Sequence, residues 1–263
     1  MGVNLEKFKA FTQSSGLIFD SKIAAHILEA RPEKTAKILF QWTKQGLISR
    51  VSQGLYAVVP IHLISSEFTP EDPWVIASKV FPESYIGGCS ALEFFDLTEQ
   101  IFNTVFVFTT KRVLHKRFSI QGIPFLVQHI SKNHWFGLTP IWRGDLRVLV
   151  SDIHRTLLDI FDDLESGGGL LHASDALKGY LKNPHQDLEK LKDYLLRFKN
   201  RTIFKRIGFL LSILLGKTNP ETMAFKAEIS KGYSYLDPHQ KDQVKLMTEW
   251  NLFVPKGFEE SLA

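Results

Sequence analysis

The sequence predicts an α+β chain, with an N-terminal winged helix-turn-helix followed by a mixed α/β domain whose last part is helical and basic. Three observations predict it. Residues 21–58 read as helix, turn, helix and then two short apolar strands around a tight loop. From Tyr85 to Val150, β-branched and aromatic runs alternate with stretches of helical spacing, as expected of strands and helices that share one sheet. After Ser166-Gly167-Gly168-Gly169 leucine recurs at helical intervals instead. A chain of 263 residues is long enough for two domains. The expected units are a winged helix-turn-helix domain over 1–60, a linker over 61–72 that ends in the turn signal Thr69-Pro70-Glu71-Asp72-Pro73, and a second domain over 73–263 with a helical subregion at 170–216.

Residues 3–15 form an amphipathic helix with Leu5, Phe8 and Phe11 or Ala10 inward, and Leu17-Ile18-Phe19 is a short strand able to pair with the later hairpin. Ser21 reads as the N-cap of the next helix, whose apolar side carries Ile23, Ala24, Ile27 and Leu28. Pro32 falls at the first turn of the following helix, where a missing N–H costs nothing. On that helix Thr35, Ile38, Leu39 and Trp42 recur at helical spacing and should face the core. Lys34, Lys37, Gln41 and then Lys44 or Gln45 recur on the opposite side. Gly46 supplies a left-handed cap. Leu47 to Val51 and Leu55 to Val59 are strands joined across Ser52-Gln53-Gly54.

In the second domain Pro73 opens a helix that runs to Val80, and Tyr85-Ile86-Gly87 is a short strand leading to a helix from Ala91 to Phe95, with Ser90 as its N-cap. Thr104 to Phe108 is a buried strand, Phe118 to Ile120 and Ile123 to Ile130 a hairpin, and Leu146 to Val150 a further strand. Ser151 caps a helix over 152–163. Helices follow at Leu170 to Leu181, along the stripe Leu188, Leu191, Leu195 and Phe198, and at Phe204 to Leu215. The tail contains Tyr233 to Leu236 and Trp250 to Val254, which read as packed strands.

Composition narrows function without choosing it. A net charge of +4 and a pI near 9.0 permit a polyanionic partner but do not demand one. The single cysteine, Cys89, cannot form an intrachain disulfide, and no Cys/His spacing suggests zinc. The opening residues lack a signal-peptide core and a myristoylation context, and no apolar run reaches membrane-spanning length. A cytoplasmic protein with no cofactor is expected.

Fragments that resemble catalytic motifs do not assemble. Gly88-Cys89-Ser90-Ala91-Leu92 lacks the glycine that a nucleophile elbow needs two residues after its serine. Cys89 has no histidine nearby in sequence to act as base. Arg155 and Asp159, four residues apart, read as a helix-surface pair rather than part of an acid/base cluster with Asp152 and His154. The glycines at 167–169 lack the lysine and spacing of a phosphate loop and read as a linker. No enzymatic activity is expected.

Two stretches suit a polyanion. From Arg31 to Arg50 there are five basic residues against one acidic. A helix that presents Lys and Gln on its free face, followed by a hairpin, fits a DNA groove. The candidate DNA contacts are Arg31, Lys34, Thr35, Lys37, Gln41, Lys44, Arg50, Ser52 and Gln53. Lys178 to Arg206 holds nine basic residues against three acidic, and Lys190, Arg197, Lys199, Arg201 and Lys205 form a candidate second basic face.

Gly46-Leu47-Ile48 through Arg50-Val51 and Gly54-Leu55-Tyr56 resemble the wing of AbiEi-type antitoxins, transcriptional regulators of type IV abortive-infection toxin–antitoxin systems. Tyr85 to Leu92 with Leu97-Thr98-Glu99-Gln100, and Ser151 to Asp159, resemble two further blocks of that family in the same order. The resemblance covers residues 17–165. It implies a repressor of its own operon that binds inverted repeats in double-stranded DNA, as a solution monomer that binds cooperatively. It also implies antitoxicity toward a nucleotidyltransferase-like toxin without a stable complex. The alternatives are a stand-alone regulator whose large domain senses a ligand or partner, and a nucleic-acid-processing enzyme. A toxin-like neighbouring gene favours the first reading, and a deep apolar pocket with convergent polar groups the second.

Overall fold

The computed structural model describes residues 5–15, 18–52, 54–58, 72–113, 116–120, 122–144 and 146–262. The described chain is mixed α+β. Its first unit runs α1 (Leu5–Ser15), β1 (Ile18–Asp20), α2 (Ser21–Ile27), α3 (Pro32–Lys44), β2 (Ile48–Ser52) and β3 (Leu55–Val58). The strands form a sheet in the order β1-β3-β2, antiparallel throughout. Asp20, not Ser21, caps α2, because its carboxylate accepts the N–H groups of Lys22 and Ile23 at 2.8 and 2.7 Å. The three helices close over Phe8, Phe11, Phe19, Leu39, Trp42 and Ile48. Ile23, expected inside, is 44% exposed.

α4 (Pro73–Val80) follows, capped by the Asp72 side chain on the Trp74 N–H at 2.8 Å. Of the expected linker over 61–72, only this cap lies within the described residues. The unit before it is not free of the rest. Ala57 and Leu55 on β3 pack with the apolar cluster of the larger sheet around Ile76, Val107 and Val127.

That sheet contains β4 (Ser84–Ile86), β5 (Val105–Thr109), β6 (Arg117–Ile120), β7 (Ile123–His129), β8 (Leu138–Arg143) and β9 (Leu146–Ser151), with α5 (Gly88–Phe94) between the first two. The order is β6-β7-β5-β4-β9-β8. β5 pairs parallel to β7 and β4 parallel to β9, and the other neighbours are antiparallel, so the sheet is mixed. β8 escapes a sequence reading because Pro140 and exposed Thr139 and Trp142 break its apolar alternation at an edge, where proline is tolerated. α6 (Ile153–Asp162) then crosses the sheet, capped by Asp152 rather than Ser151.

The helical part holds α7 (Gly169–Lys182), α8 (Leu188–Phe198), α9 (Arg201–Leu214) and α10 (Pro220–Lys226), and packs with α6 into one apolar cluster. A small sheet of β10 (Ser234–Tyr235), β11 (Val244–Met247) and β12 (Leu252–Pro255) and the short α11 (Phe258–Ser261) complete it. The expected glycine linker is structural. Gly167 is buried with its carbonyl on the His172 ring, and Gly168 and Gly169 open α7 with positive φ. No described helix is long and apolar enough to cross a membrane.

Beneath the sheet Arg155 and Asp159 on α6 form an ion pair at 2.8 Å with 0% and 2% exposure. The expected surface pair is therefore buried, because the polar spacing i, i+4 also serves a helix enclosed on every side. Tyr85 donates its hydroxyl to Asp159 at 3.1 Å and accepts from Arg155 Nη2 at 2.8 Å. Arg155 Nη1 donates to the His134 carbonyl. Burial raises the Asp159 carboxyl to about 6 against the lowering by Arg155, which leaves the pair ionised at neutral pH. Arg155→Met should leave that carboxylate buried and unpaired and cost about 3–5 kcal/mol of stability. Without the cation, the folded-state pKa of Asp159 rises further above its unfolded value. Stability from that group is then present at low pH and lost as pH rises through the folded pKa. Urea midpoints of variant and parent should differ more at pH 8 than at pH 5, and an equal gap at both would refute this account.

Candidate nucleic-acid interface

The face on α3 is set by how the helix is anchored. Arg31 occupies the N-cap position in an extended conformation and Pro32 opens the first turn. The Thr35 hydroxyl donates to the carbonyls of Arg31 at 3.1 Å and Ala30 at 3.3 Å, tying α3 to the turn before it. Trp42 lies edge-on to Phe8 and tilted against Phe11, each at 4.9 Å between ring centres. At the far end Gly46, at φ +71°, donates to the Thr43 carbonyl and Leu47 to the Trp42 carbonyl, both at 3.0 Å. This pair of bonds is a Schellman cap, which requires the left-handed residue that glycine supplies without strain.

The anchoring fixes which side chains remain outside. Lys34, Lys37, Gln41 and Lys44 are all exposed on α3, with Arg31 at its start. Among the described residues none of Lys34, Lys37 and Lys44 is held in an ion pair. Thr35, proposed from sequence as a contact, is 1% exposed and its hydroxyl is spent on backbone carbonyls, so it belongs to the core side of the helix. Arg50 is exposed on β2 opposite Tyr56, and the ladder shifts register between Arg50 and Ser52. Ser52 ends β2, whereas Gln53 lies outside the described residues. The Gly54 carbonyl accepts the Ser21 N–H at 2.8 Å, which fastens the end of the hairpin to the start of α2.

Sequence reading missed one member of this face. Phe40 is 71% exposed, in a unit whose other described phenylalanines, Phe8, Phe11 and Phe19, are at most 4% exposed. The signal was present: at 100° per residue Phe40 points well away from Thr35 and Trp42 and falls between Ala36 and Lys44.

The second basic face is only partly outside, since Lys205 is enclosed and Lys190 and Arg201 lie beside carboxylates. Lys205 is 1% exposed and donates to the Gly232 carbonyl, so it cannot meet a partner. Arg206 is 6% exposed and donates to the carbonyls of Phe161 at 2.7 Å and Tyr235 at 3.4 Å. Both cations tie α9 to neighbouring backbone, and burial lowers the pKa of each. Lys190 approaches Asp152 at 3.7 Å, Arg197 stacks on Phe136 at 4.1 Å, and Arg201 pairs with Glu228 at 3.0 Å. Lys199 is exposed at the left-handed end of α8.

The fragments weighed for catalysis are built into the interior. Burial pushes the Cys89 thiol up to about 12, far from a thiolate at neutral pH. Ser90 is not the N-cap of α5, a position held by Gly87; its hydroxyl accepts the Phe106 N–H at 3.0 Å instead. His154 shares a 2.9 Å hydrogen bond with the Tyr180 hydroxyl, and burial lowers its pKa. Among the described residues no group of three or more His, Cys, Asp or Glu side chains could hold a metal ion. A cleft of about 360 Å³ opens where Trp74, Phe94 and Phe102 meet Glu93 and Arg143, with the Arg143 guanidinium 4.5 Å from the centre of the Trp74 ring.

No protein-family model matches this sequence, and no curated protein does. Among solved structures, the crystal structure of the RV2827C protein from Mycobacterium tuberculosis is similar, with a TM-score of 0.56 over 94% of this chain and 89% of that one. The two sequences are 13% identical, so the likeness establishes a shared fold along nearly the whole chain and nothing of its chemistry.

Proposed function

We propose that the protein is a DNA-binding transcriptional repressor whose N-terminal unit is a winged helix-turn-helix, and that it serves as the antitoxin of a type IV toxin–antitoxin system. α2 and α3 are the helix-turn-helix in this reading, α3 its recognition helix, and the β2–β3 hairpin the wing. The observation that carries it is the outward face of α3, where Lys34, Lys37 and Lys44 stand exposed with Gln41 on a helix locked by Trp42 and Thr35. Long cationic and amide side chains on a rigid helix suit phosphates and base edges in a major groove. The operator is an inverted repeat upstream of the protein's own gene, bound cooperatively. The antitoxic role, toward a nucleotidyltransferase-like toxin with no stable complex, rests on the sequence resemblance alone.

Lys34→Ala with Lys37→Ala should weaken binding to a duplex covering the protein's own promoter. The expected loss is about 1–3 kcal/mol for a base contact, with a salt slope shallower by about one unit for each phosphate contact removed. A gel-shift titration between low and moderate salt reads both quantities. Unchanged affinity and slope would remove DNA binding from this face.

The second basic face is assigned mainly to antitoxicity, because Lys190, Arg197 and Arg201 already face Asp152, Phe136 and Glu228. Replacing the three together by glutamine should leave promoter affinity and its salt slope unchanged, as expected of residues that touch no phosphate. The same variant should fail to rescue growth of cells that express the toxin. A large loss of promoter affinity would instead place this face on the DNA backbone.

A ligand-sensing regulator is the second reading, favoured by the cleft at Trp74, Phe94 and Arg143. Its volume falls in the range of small-molecule sites. A metabolite screen by thermal shift, followed by promoter binding with any hit, tests it.

A further inference from the structure

Resting on the DNA-binding reading, we propose that Phe40 is the residue through which α3 reads sequence, as an apolar probe for the 5-methyl groups of thymine in the major groove. The phenyl ring is 71% exposed on a helix face that is polar apart from Ala36. It is the eighth to follow Pro32 in a helix of 13 residues, with Lys37 three positions before it and Lys44 four after. Those cations suit phosphates, to which a phenyl ring offers nothing. Of the groups that base pairs display in the major groove, only the thymine methyl is apolar, so it is the natural partner for such a side chain. Ala36, also exposed and one turn earlier, extends the apolar strip toward the start of the helix.

A protein partner is less well matched to this face. An apolar anchor in a protein interface sits within a larger desolvated patch. Phe40 is instead surrounded on its helix by Ala36, Lys37, Thr43 and Lys44, all exposed. The only other large apolar side chain exposed in this unit among the described residues is Ile23, on α2. The cations around the ring complement a polyanion. They would be left facing an apolar or basic protein surface at a cost.

The test uses the full chain and the duplex it enriches from a random-sequence pool. Each thymine of that duplex is replaced singly by deoxyuridine, which keeps the pairing and removes the methyl group. One or two positions should weaken binding by about fourfold, the worth of one buried methyl-sized group. Phe40→Ala should bind the thymine duplex more weakly and show no further loss at those same positions, because both changes delete one contact. Phe40→Leu, which keeps an apolar tip, should retain part of the thymine preference and guards against a folding defect in the alanine variant. A Phe40→Ala variant that binds DNA with undiminished thymine preference overturns the proposal. So does one whose DNA binding is unchanged while self-association in sedimentation is lost, which would give the ring to a second copy of the chain. If the parent chain enriches no duplex, the DNA-binding reading itself fails, and the proposal falls with it.

Discussion

The larger domain depends on one enclosed set of polar groups: the Arg155 guanidinium, the Asp159 carboxylate and the Tyr85 hydroxyl. Every donor and acceptor in it has a geometric reason to be there. Arg155 reaches Asp159 along α6, Tyr85 across to β4 and the His134 carbonyl in the 3-10 turn over Lys132–His134. Tyr85 stacks flat on Phe108 of β5 with ring centres 5.1 Å apart, and the guanidinium lies over Phe136 and Phe198. One cation thus fixes sheet, crossing helix and helical part against each other. A buried pair needs further hydrogen bonds around it, and here each of the three guanidinium nitrogens has an acceptor. The position before α5 is bound to the same arrangement, since a Cβ on Gly87 would stand 2.8 Å from Asp159 Oδ2 and from the Phe108 ring. Only glycine lets β4 pass so close to the carboxylate.

From that frame the N-terminal unit is mounted rather than tethered. Ala57 is fully buried and shares an apolar cluster with Val107, Val127 and Val150 of the large sheet. Its strand β3 is also the centre of the small sheet that carries the hairpin. The hairpin, in turn, is fastened to α2 through Ser21 and Gly54, and α2 precedes the turn that Thr35 ties to α3. The α3 face is therefore tied at its start by the Thr35 hydroxyl and at its end by the backbone bonds of Gly46 and Leu47. A surface held in this way loses little conformational freedom on meeting any partner, which is where preorganisation contributes to affinity.

Much of this was legible in the sequence, for reasons that differ by element. The α3 stripe of Thr35, Leu39 and Trp42, the cap at Gly46, and the strands around Val107 and Val148 follow from periodicity and glycine chemistry, which are local. β8 and β11 were not legible, because edge strands with exposed alternate residues carry too weak a pattern. Helix caps were misplaced by one residue at Ser21 and Ser151. In both places an aspartate beside the serine does the capping, and residue type alone cannot rank two good caps. The burial of Arg155 with Asp159 was out of reach for another reason. A helix shows its polar spacing but not whether a sheet and three more helices will cover it. Phe40 was overlooked because a phenylalanine is ordinarily counted toward the core, although its angular position excluded it.

Charge counting misleads in the same way, and its failure decides between the two basic stretches. Lys205 and Arg206 contribute two of the nine cations between Lys178 and Arg206, yet both are enclosed and bonded to carbonyls. Lys192 and Arg201 in that stretch are balanced by Glu189 and Glu228, and Lys178 by Asp175. The shorter run on α3 keeps its lysines outside because the apolar face there is satisfied by Trp42, Leu39 and Thr35, and none of these needs a cation as partner. Potential at a surface depends on unpaired charge within about a Debye length, roughly 8 Å at physiological salt, not on the number of basic residues in a segment. By that measure the longer run loses most of its numerical advantage over the shorter one. The α3 face differs also in carrying an exposed phenyl ring, that of Phe40, among its cations.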